Sequence, residues 1–231
     1  MECYSRSCYH LFLMFGFLLI QMIQYRINAK EMEIYPIPGE ACGGGYIIGT
    51  GDQYEVHAAV EETTGHYLPN VSCSLQFRTE NYEAFFIRII KFNVESSRSC
   101  ENDALFLYDG VEDPEKLMTE TIHGLCGESL SLPNYFTTTA GDLTIKFRTD
   151  YANEAGGFTM FVTPFSKNEE CDGGFQCLKD KKCMTPDAKC NGANQCKDGS
   201  DEPKNCRLAG SDVRATVHVI ILGLLLMFFL R

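Results

Sequence analysis

Twelve cysteines in 231 residues constrain this chain more than any other feature. Two, Cys3 and Cys8, precede an apolar run at residues 11–20 (LFLMFGFLLI), and the other ten lie between residues 42 and 206. An even, dense set of cysteines behind such a run reads as a disulfide framework built in an oxidising compartment, and it excludes a cytosolic enzyme. The run has Arg6 ahead of it and Ile27-Asn28-Ala29 behind it, the layout of a secretory signal peptide cleaved between Ala29 and Lys30. The alternative is a membrane-spanning anchor. That would need about 20 apolar residues, and here Gln21, Gln24 and Arg26 follow the run.

The other end carries Ala209-Gly210-Ser211, then Asp212 to Thr216, then VHVIILGLLLMFFL at 217–230 before Arg231. Small residues, a polar spacer and a hydrophobic tail predict a glycosylphosphatidylinositol attachment signal. A short transmembrane helix is the alternative, although fourteen residues are few for a hydrocarbon core of about 30 Å. Both readings put the mature domains at the cell surface, on the extracellular face of the plasma membrane, with the tail as the membrane contact. Nucleic acid is excluded as a partner. With 20 Lys+Arg against 31 Asp+Glu, a formal net charge of −11, the chain would repel a phosphate backbone instead of displacing its counterions.

Between the ends, about 180 residues suffice for one ordinary domain plus a small one. Short runs alternate apolar with polar residues: Phe85-Ile87-Ile89, Phe92-Val94, Leu105-Leu107, Leu143-Ile145-Phe147 and Phe158-Met160-Val162. Turn signals separate them at Asp109-Gly110, Ala140-Gly141-Asp142 and Gly156-Gly157. This pattern predicts a mainly β chain built on an antiparallel sandwich. After Ser166-Lys167-Asn168 the apolar pattern stops, and six cysteines fall within the 36 residues from Cys171 to Cys206. So short a segment cannot fold by core packing alone and must be held by disulfides or a metal.

The first of these segments, about residues 42–165, opens with Cys42-Gly43-Gly44, carries VESSRSCENDALFLYDG, and continues with Cys126-Gly127, the strand LTIKF and GGF before the last strand. With these motifs it resembles a CUB domain. Two departures stand out: Leu75 where the family often keeps Trp, and an atypical stretch from Thr50 to Gly65. The resemblance pairs Cys42 with Cys73 and Cys100 with Cys126. The second segment resembles a class A repeat of the low-density-lipoprotein receptor, with Phe175 two residues before its second cysteine and CKDGSDEPKNC at its end. Six cysteines allow fifteen pairings; the resemblance selects Cys171–Cys183, Cys177–Cys196 and Cys190–Cys206. The expected organisation is a signal peptide (1–29), a lead-in (30–41), the CUB sandwich (42–165), a linker (166–170), the small disulfide-rich, calcium-type module (171–206), a spacer (207–216) and the hydrophobic tail (217–231).

Both resemblances imply calcium, which takes six to eight oxygen ligands at about 2.3–2.6 Å. In the CUB domain the implied ligand set is Tyr67, Glu95, Asp103, Asp150 and Asn153, with the Ala152 carbonyl. Carboxylate oxygens left free there would face a basic side chain, a lysine, on an extracellular protein ligand or transmembrane receptor. In the repeat, Asp201 and Glu202 fill two acid positions, but Asn191 and Gln195 stand at the other two, and the carbonyl positions are Ala188 and Ala193. Amides keep the oxygen donors and lose two charges, so this second site is expected to be weak or absent. Asp198 is expected to support its loop by hydrogen bonding. The aromatic residue that often holds a ligand lysine in this family is replaced by Ala188. The acidity belongs to the first domain: residues 42–165 hold eighteen acids and seven bases, and residues 171–206 hold six of each.

No catalytic constellation is legible. His57, His66 and His123 belong to no His-Glu-x-x-His pair, there is no Gly-x-Ser-x-Gly elbow, and no cysteine of the middle segment is left over as a nucleophile. Asn70-Val71-Ser72 is an N-glycosylation sequon beside Tyr67. The function expected is a cell-surface, non-enzymatic binding protein, an adaptor or co-receptor auxiliary to a transmembrane receptor such as a neurotransmitter receptor. An endocytic or lipoprotein-type cargo receptor and a secreted protease accessory protein are the alternatives.

Overall fold

A computed structural model describes residues 33–49, 53–119, 121–130, 134–167, 171, 174–192 and 194–206. The expected signal peptide, most of the linker, the spacer, the tail and Ala193 lie outside the described residues. Among those described, the regular structure is eleven strands and three short 3₁₀ turns, and no helix is long and apolar enough to cross a membrane.

The strands are β1 (Glu33–Ile37), β2 (Ile47–Gly49), β3 (Tyr54–Ala58), β4 (Ser72–Thr79), β5 (Ala84–Asn93), β6 (Ala104–Tyr108), β7 (Tyr135–Thr137), β8 (Asp142–Arg148), β9 (Gly157–Ser166), β10 (Phe175–Gln176) and β11 (Cys183–Met184). One sheet runs β2-β4-β8-β6. In the other, β9 is flanked by β5 and β3, with β1, β7, β10 and β11 added around them. Most pairings are antiparallel, but β1 pairs with β3 and β2 with β4 in parallel, which alternation along single strands could not have shown.

The two sheets close on one apolar core. On β4, Cys73, Leu75 and Phe77 point inward and pair with Phe147, Ile145 and Leu143 of β8. Opposite them sit Tyr54 and Val56 of β3, Phe85, Ile87 and Ile89 of β5, and Phe158, Met160 and Val162 of β9. Each such side chain contributes about 1.5–3 kcal/mol by leaving water. Leu75 is fully buried, so a leucine fills its position without opening it to solvent. All five residues of β6 are buried, because Ala104, Phe106 and Tyr108 form a small outer cluster with Cys100 and Leu117.

Disulfides join Cys42–Cys73, Cys100–Cys126, Cys171–Cys183, Cys177–Cys196 and Cys190–Cys206. At the head of β9, Gly157 sits at φ 78, and a Cβ there would lie 2.7 Å from the Ala58 Cβ. Only glycine relieves both constraints. The outward face of β5 also departs from simple alternation. Ala84 and Phe86 are as buried as Phe85 and Ile87, because the cysteine-rich segment packs over them.

Candidate metal centre

Four chain segments converge at the end of the sandwich where β9 begins. Val94 and Gly127 exchange backbone hydrogen bonds at 3.0 and 2.8 Å, which fixes the chain just before Glu95. Tyr67 is buried on Phe147, ring centroids 5.2 Å apart, and its N–H donates to the Ala155 carbonyl at 2.9 Å. Thr149 ties the first and last segments together. Its hydroxyl accepts the Val71 N–H at 2.8 Å and donates to the Leu68 carbonyl at 2.9 Å.

Asp103 is the hub, and it is fully buried. One carboxylate oxygen accepts the Tyr67 hydroxyl, and the other accepts the Asp150 N–H at 2.7 Å. Tyr67 in turn accepts the Glu95 N–H at 3.0 Å. Asn102 donates to Glu95 Oε1 at 3.1 Å, and the Ala152 N–H donates to Asp150 Oδ1 at 2.9 Å. Asn153 is exposed at φ 64. Arg148 donates to the carbonyls of Cys100 and Glu101 at 3.0 and 3.1 Å, clamping the turn that delivers Asp103.

Glu95, Asp103 and Asp150 each bring a carboxylate oxygen within 4.8 Å of the other two. Burial pushes the Asp103 carboxyl above its ordinary range, against the hydrogen bonds from Tyr67 and Asp150, and the charges of Asp150 and Glu154 push the same way. Burial, and next the carboxylate it serves, also push the Tyr67 phenol up, so it stays a donor. Glu95 Oε2 is buried with no hydrogen-bond partner among the described residues. An all-oxygen set with a spare buried acceptor fits a hard divalent cation and not zinc, which prefers nitrogen and sulfur. Tyr67, Glu95, Asp103, Asp150 and Ala152 are thus gathered here. Thr149, Arg148 and Asn102 were not anticipated from sequence, because they hold the ligands without belonging to a ligand motif.

The CUB domain family matches residues 49–161, and the low-density lipoprotein receptor domain class A family matches residues 169–206. The chain carries a CUB domain followed by a class A repeat. Both are non-catalytic protein-binding modules of extracellular and cell-surface proteins, and both kinds typically bind calcium. The chain is 26% identical over 141 residues to exoskeleton protein RP43 of Riftia pachyptila, which covers 61% of this chain and 28% of that one. It is 27% identical over 183 residues to human membrane frizzled-related protein, covering 77% and 28%. The chain thus spans less than a third of the length of either relative. Among solved structures it is similar to the CUB1-EGF-CUB2 domain of human MASP-1/3, at 15% identity and a TM-score of 0.41, covering 52% of this chain and 41% of that one.

In the class A repeat Asp198, Asp201 and Glu202 are engaged internally. Asp201 is fully buried; its Oδ2 accepts the Gln195 N–H at 2.5 Å, and burial pushes its carboxyl up. Glu202 Oε1 accepts the N–H groups of Asn191 at 2.6 Å and Gly192 at 3.0 Å. Asp198 accepts the Ser200 hydroxyl at 2.8 Å and the Ser200 N–H at 3.2 Å, holding its own turn. Asn191 donates its side-chain amide across the junction to Gln53 of the CUB domain. Ala188 is fully buried, packed in the cluster with Phe86 and Phe165.

Proposed function

We propose that this protein is a cell-surface adaptor or co-receptor without catalytic activity, whose CUB domain binds calcium and captures a lysine of an extracellular protein or transmembrane receptor. The observation that carries this reading is the convergence of Glu95, Asp103 and Asp150 within 4.8 Å. Tyr67, the Ala152 carbonyl and Asn153 complete the ligand set. When bound, calcium supplies charge that offsets carboxylate repulsion.

The chain's own residues do the rest. Tyr67 and the Asp150 N–H orient Asp103, Asn102 orients Glu95, and Arg148 and Thr149 keep the loops in register. Carboxylate oxygens held this way make charge-assisted hydrogen bonds to an ammonium group, stronger than neutral ones. In the repeat, Asn191 and Gln195 replace carboxylates, so its own calcium site is weak or absent. Attachment to the membrane is through a lipid at Ala209-Gly210-Ser211. Phosphatidylinositol-specific phospholipase C then releases the protein from intact cells, whereas retention there supports a transmembrane tail.

The binding test combines calorimetric titration with calcium chloride and capture on beads carrying a lysine-containing peptide. Asp103→Ala and calcium chelation should each abolish both signals while circular dichroism stays unchanged. The exposed-acid control Glu115→Ala should alter neither. A folded Asp103→Ala protein that still binds calcium and peptide at full strength would sink the reading.

A further inference from the structure

We infer that the class A repeat is docked in cis: its partner is the CUB domain of the same chain, and the two form one rigid body. The junction is built as an interface. Strand β11 pairs antiparallel with the end of β9, Cys183 opposite Ser166 and Met184 opposite Phe165, so the CUB sheet continues into the repeat through β11 and β10. Beside this pairing, Ala84, Phe86 and Phe165 of the CUB domain and Cys177, Met184, Ala188 and Cys196 of the repeat share one cluster, none of them more than 2% exposed.

The polar contacts match. Lys182 is buried with its ammonium 4.1 Å from the Phe86 ring centroid and 5.0 Å from that of Phe165. Asp180 balances its charge at 3.2 Å. An ammonium over aromatic faces is held by the ring quadrupoles, more firmly when water is excluded. Asn191 reaches Gln53, and Lys197 lies 5.7 Å from the Tyr135 ring centroid. At the start of the linker, the Lys167 N–H donates to Glu83 at 3.1 Å.

Three disulfides already staple a repeat of this size, so this contact is not needed to fold it. Phe86 and Ala84 occupy the outward face of the sheet, where the CUB domain itself offers Phe86 the stacked Tyr135 ring at 6.0 Å and the repeat supplies the other side of the cluster. The junction also lies at the opposite end of β9 from the candidate metal centre. Ten residues of strand separate the two by about 30 Å at roughly 3.3 Å per residue. The repeat is therefore a pedestal: the face that carries Ala188, Lys182 and Asn191 is committed to the CUB domain and is closed to outside ligands. This inference rests on the junction alone and stands whether or not the CUB domain binds calcium.

Hydrogen exchange of the full-length protein, read by mass spectrometry, tests it with one variant from each side, Phe86→Ser and Ala188→Trp. In the wild type, amides of 163–166 and 182–185 should exchange slowly. Each variant should speed both segments at least tenfold while 143–148, in the opposite sheet, stays protected. A CUB substitution that loosens the repeat is something a mere tether would not produce. Fast exchange at 163–166 in the wild type, or a change confined to the substituted module in both variants, would overturn the inference. If Phe86→Ser loses protection at 143–148 as well, the CUB sandwich has unfolded in that variant and Ala188→Trp decides.

Discussion

Tyr67 donates its phenol proton to Asp103, 36 residues away in sequence, and both side chains are buried. The pair ties the loop before β4 to the loop before β6, and the same hydroxyl also accepts the Glu95 N–H. Tyr67→Phe keeps the ring on Phe147 and removes only the hydroxyl. It leaves a buried carboxylate oxygen and the half-buried Glu95 N–H short of a partner, at a cost of about 1–3 kcal/mol. The expected outcome is a lower melting temperature together with weaker calcium binding in titration calorimetry. An unchanged melting temperature would mean that water replaces the hydroxyl and that the hub is looser than its geometry.

Asn191→Asp combined with Gln195→Asp should raise the calcium affinity of the repeat, because two carboxylates return to an oxygen set now short of charge. The Asn191 amide also serves the junction through Gln53. The same double change should therefore lower the melting temperature without calcium, since a carboxylate cannot donate to the Gln53 oxygen. Calorimetry on the double variant and on Gln195→Asp alone separates the two effects. If neither variant gains calcium affinity, the ligand positions in the repeat are wrongly assigned.

Burial against the CUB domain holds the Lys182 ammonium below the ordinary lysine value of 10.5, with Lys197 acting the same way and Asp180 opposing them. The folded protein therefore sheds this proton before the unfolded chain does. The penalty is complete below the folded value and fades as pH rises from there toward 10.5. Stability of the wild type relative to Lys182→Gln should rise across that window, by about 1.4 kcal/mol for each unit of depression. Urea midpoints for both proteins from pH 7 upward read it. A difference that stays flat with pH would put Lys182 in water and the repeat away from the sheet.

Much of this fold was legible because alternation and cysteine spacing are local signals. Leu143-Ile145-Phe147 and Phe158-Met160-Val162 both point into the core, as period two requires. The parallel pairings of β1 and β2 were not legible, because an edge strand's direction depends on where its neighbour runs. Phe86 was missed for a related reason: its burial comes from a module 91 residues further on, at Cys177, through a junction that no periodicity within β5 records. The candidate metal centre was legible only through the resemblance to CUB domains, which implies its ligands position by position. What gathers it was not, since Thr149 and Arg148 act through backbone carbonyls and carry no motif.

Asn70 stands exposed beside the candidate centre at φ 55, and its N–H donates to the Asp150 carbonyl at 2.5 Å. Glycosylation of the Asn70-Val71-Ser72 sequon would place a bulky, solvated group on the rim of the acid cluster. The usual replacement, Asn70→Gln, confounds two effects. Asparagine tolerates the left-handed region, and a longer side chain there costs roughly 1 kcal/mol at the very loop that positions Asp150. Ser72→Ala is the cleaner change, since Ser72 is exposed at the start of β4 and its loss destroys the sequon while leaving Asn70 in place. The expected result is a protein that loses one glycan on a gel, keeps its melting temperature and calcium affinity, and gains on-rate for the lysine-containing peptide. Asn70→Gln should lose the same glycan but also some calcium affinity. If Ser72→Ala leaves both mobility and peptide binding unchanged, no glycan guards this rim.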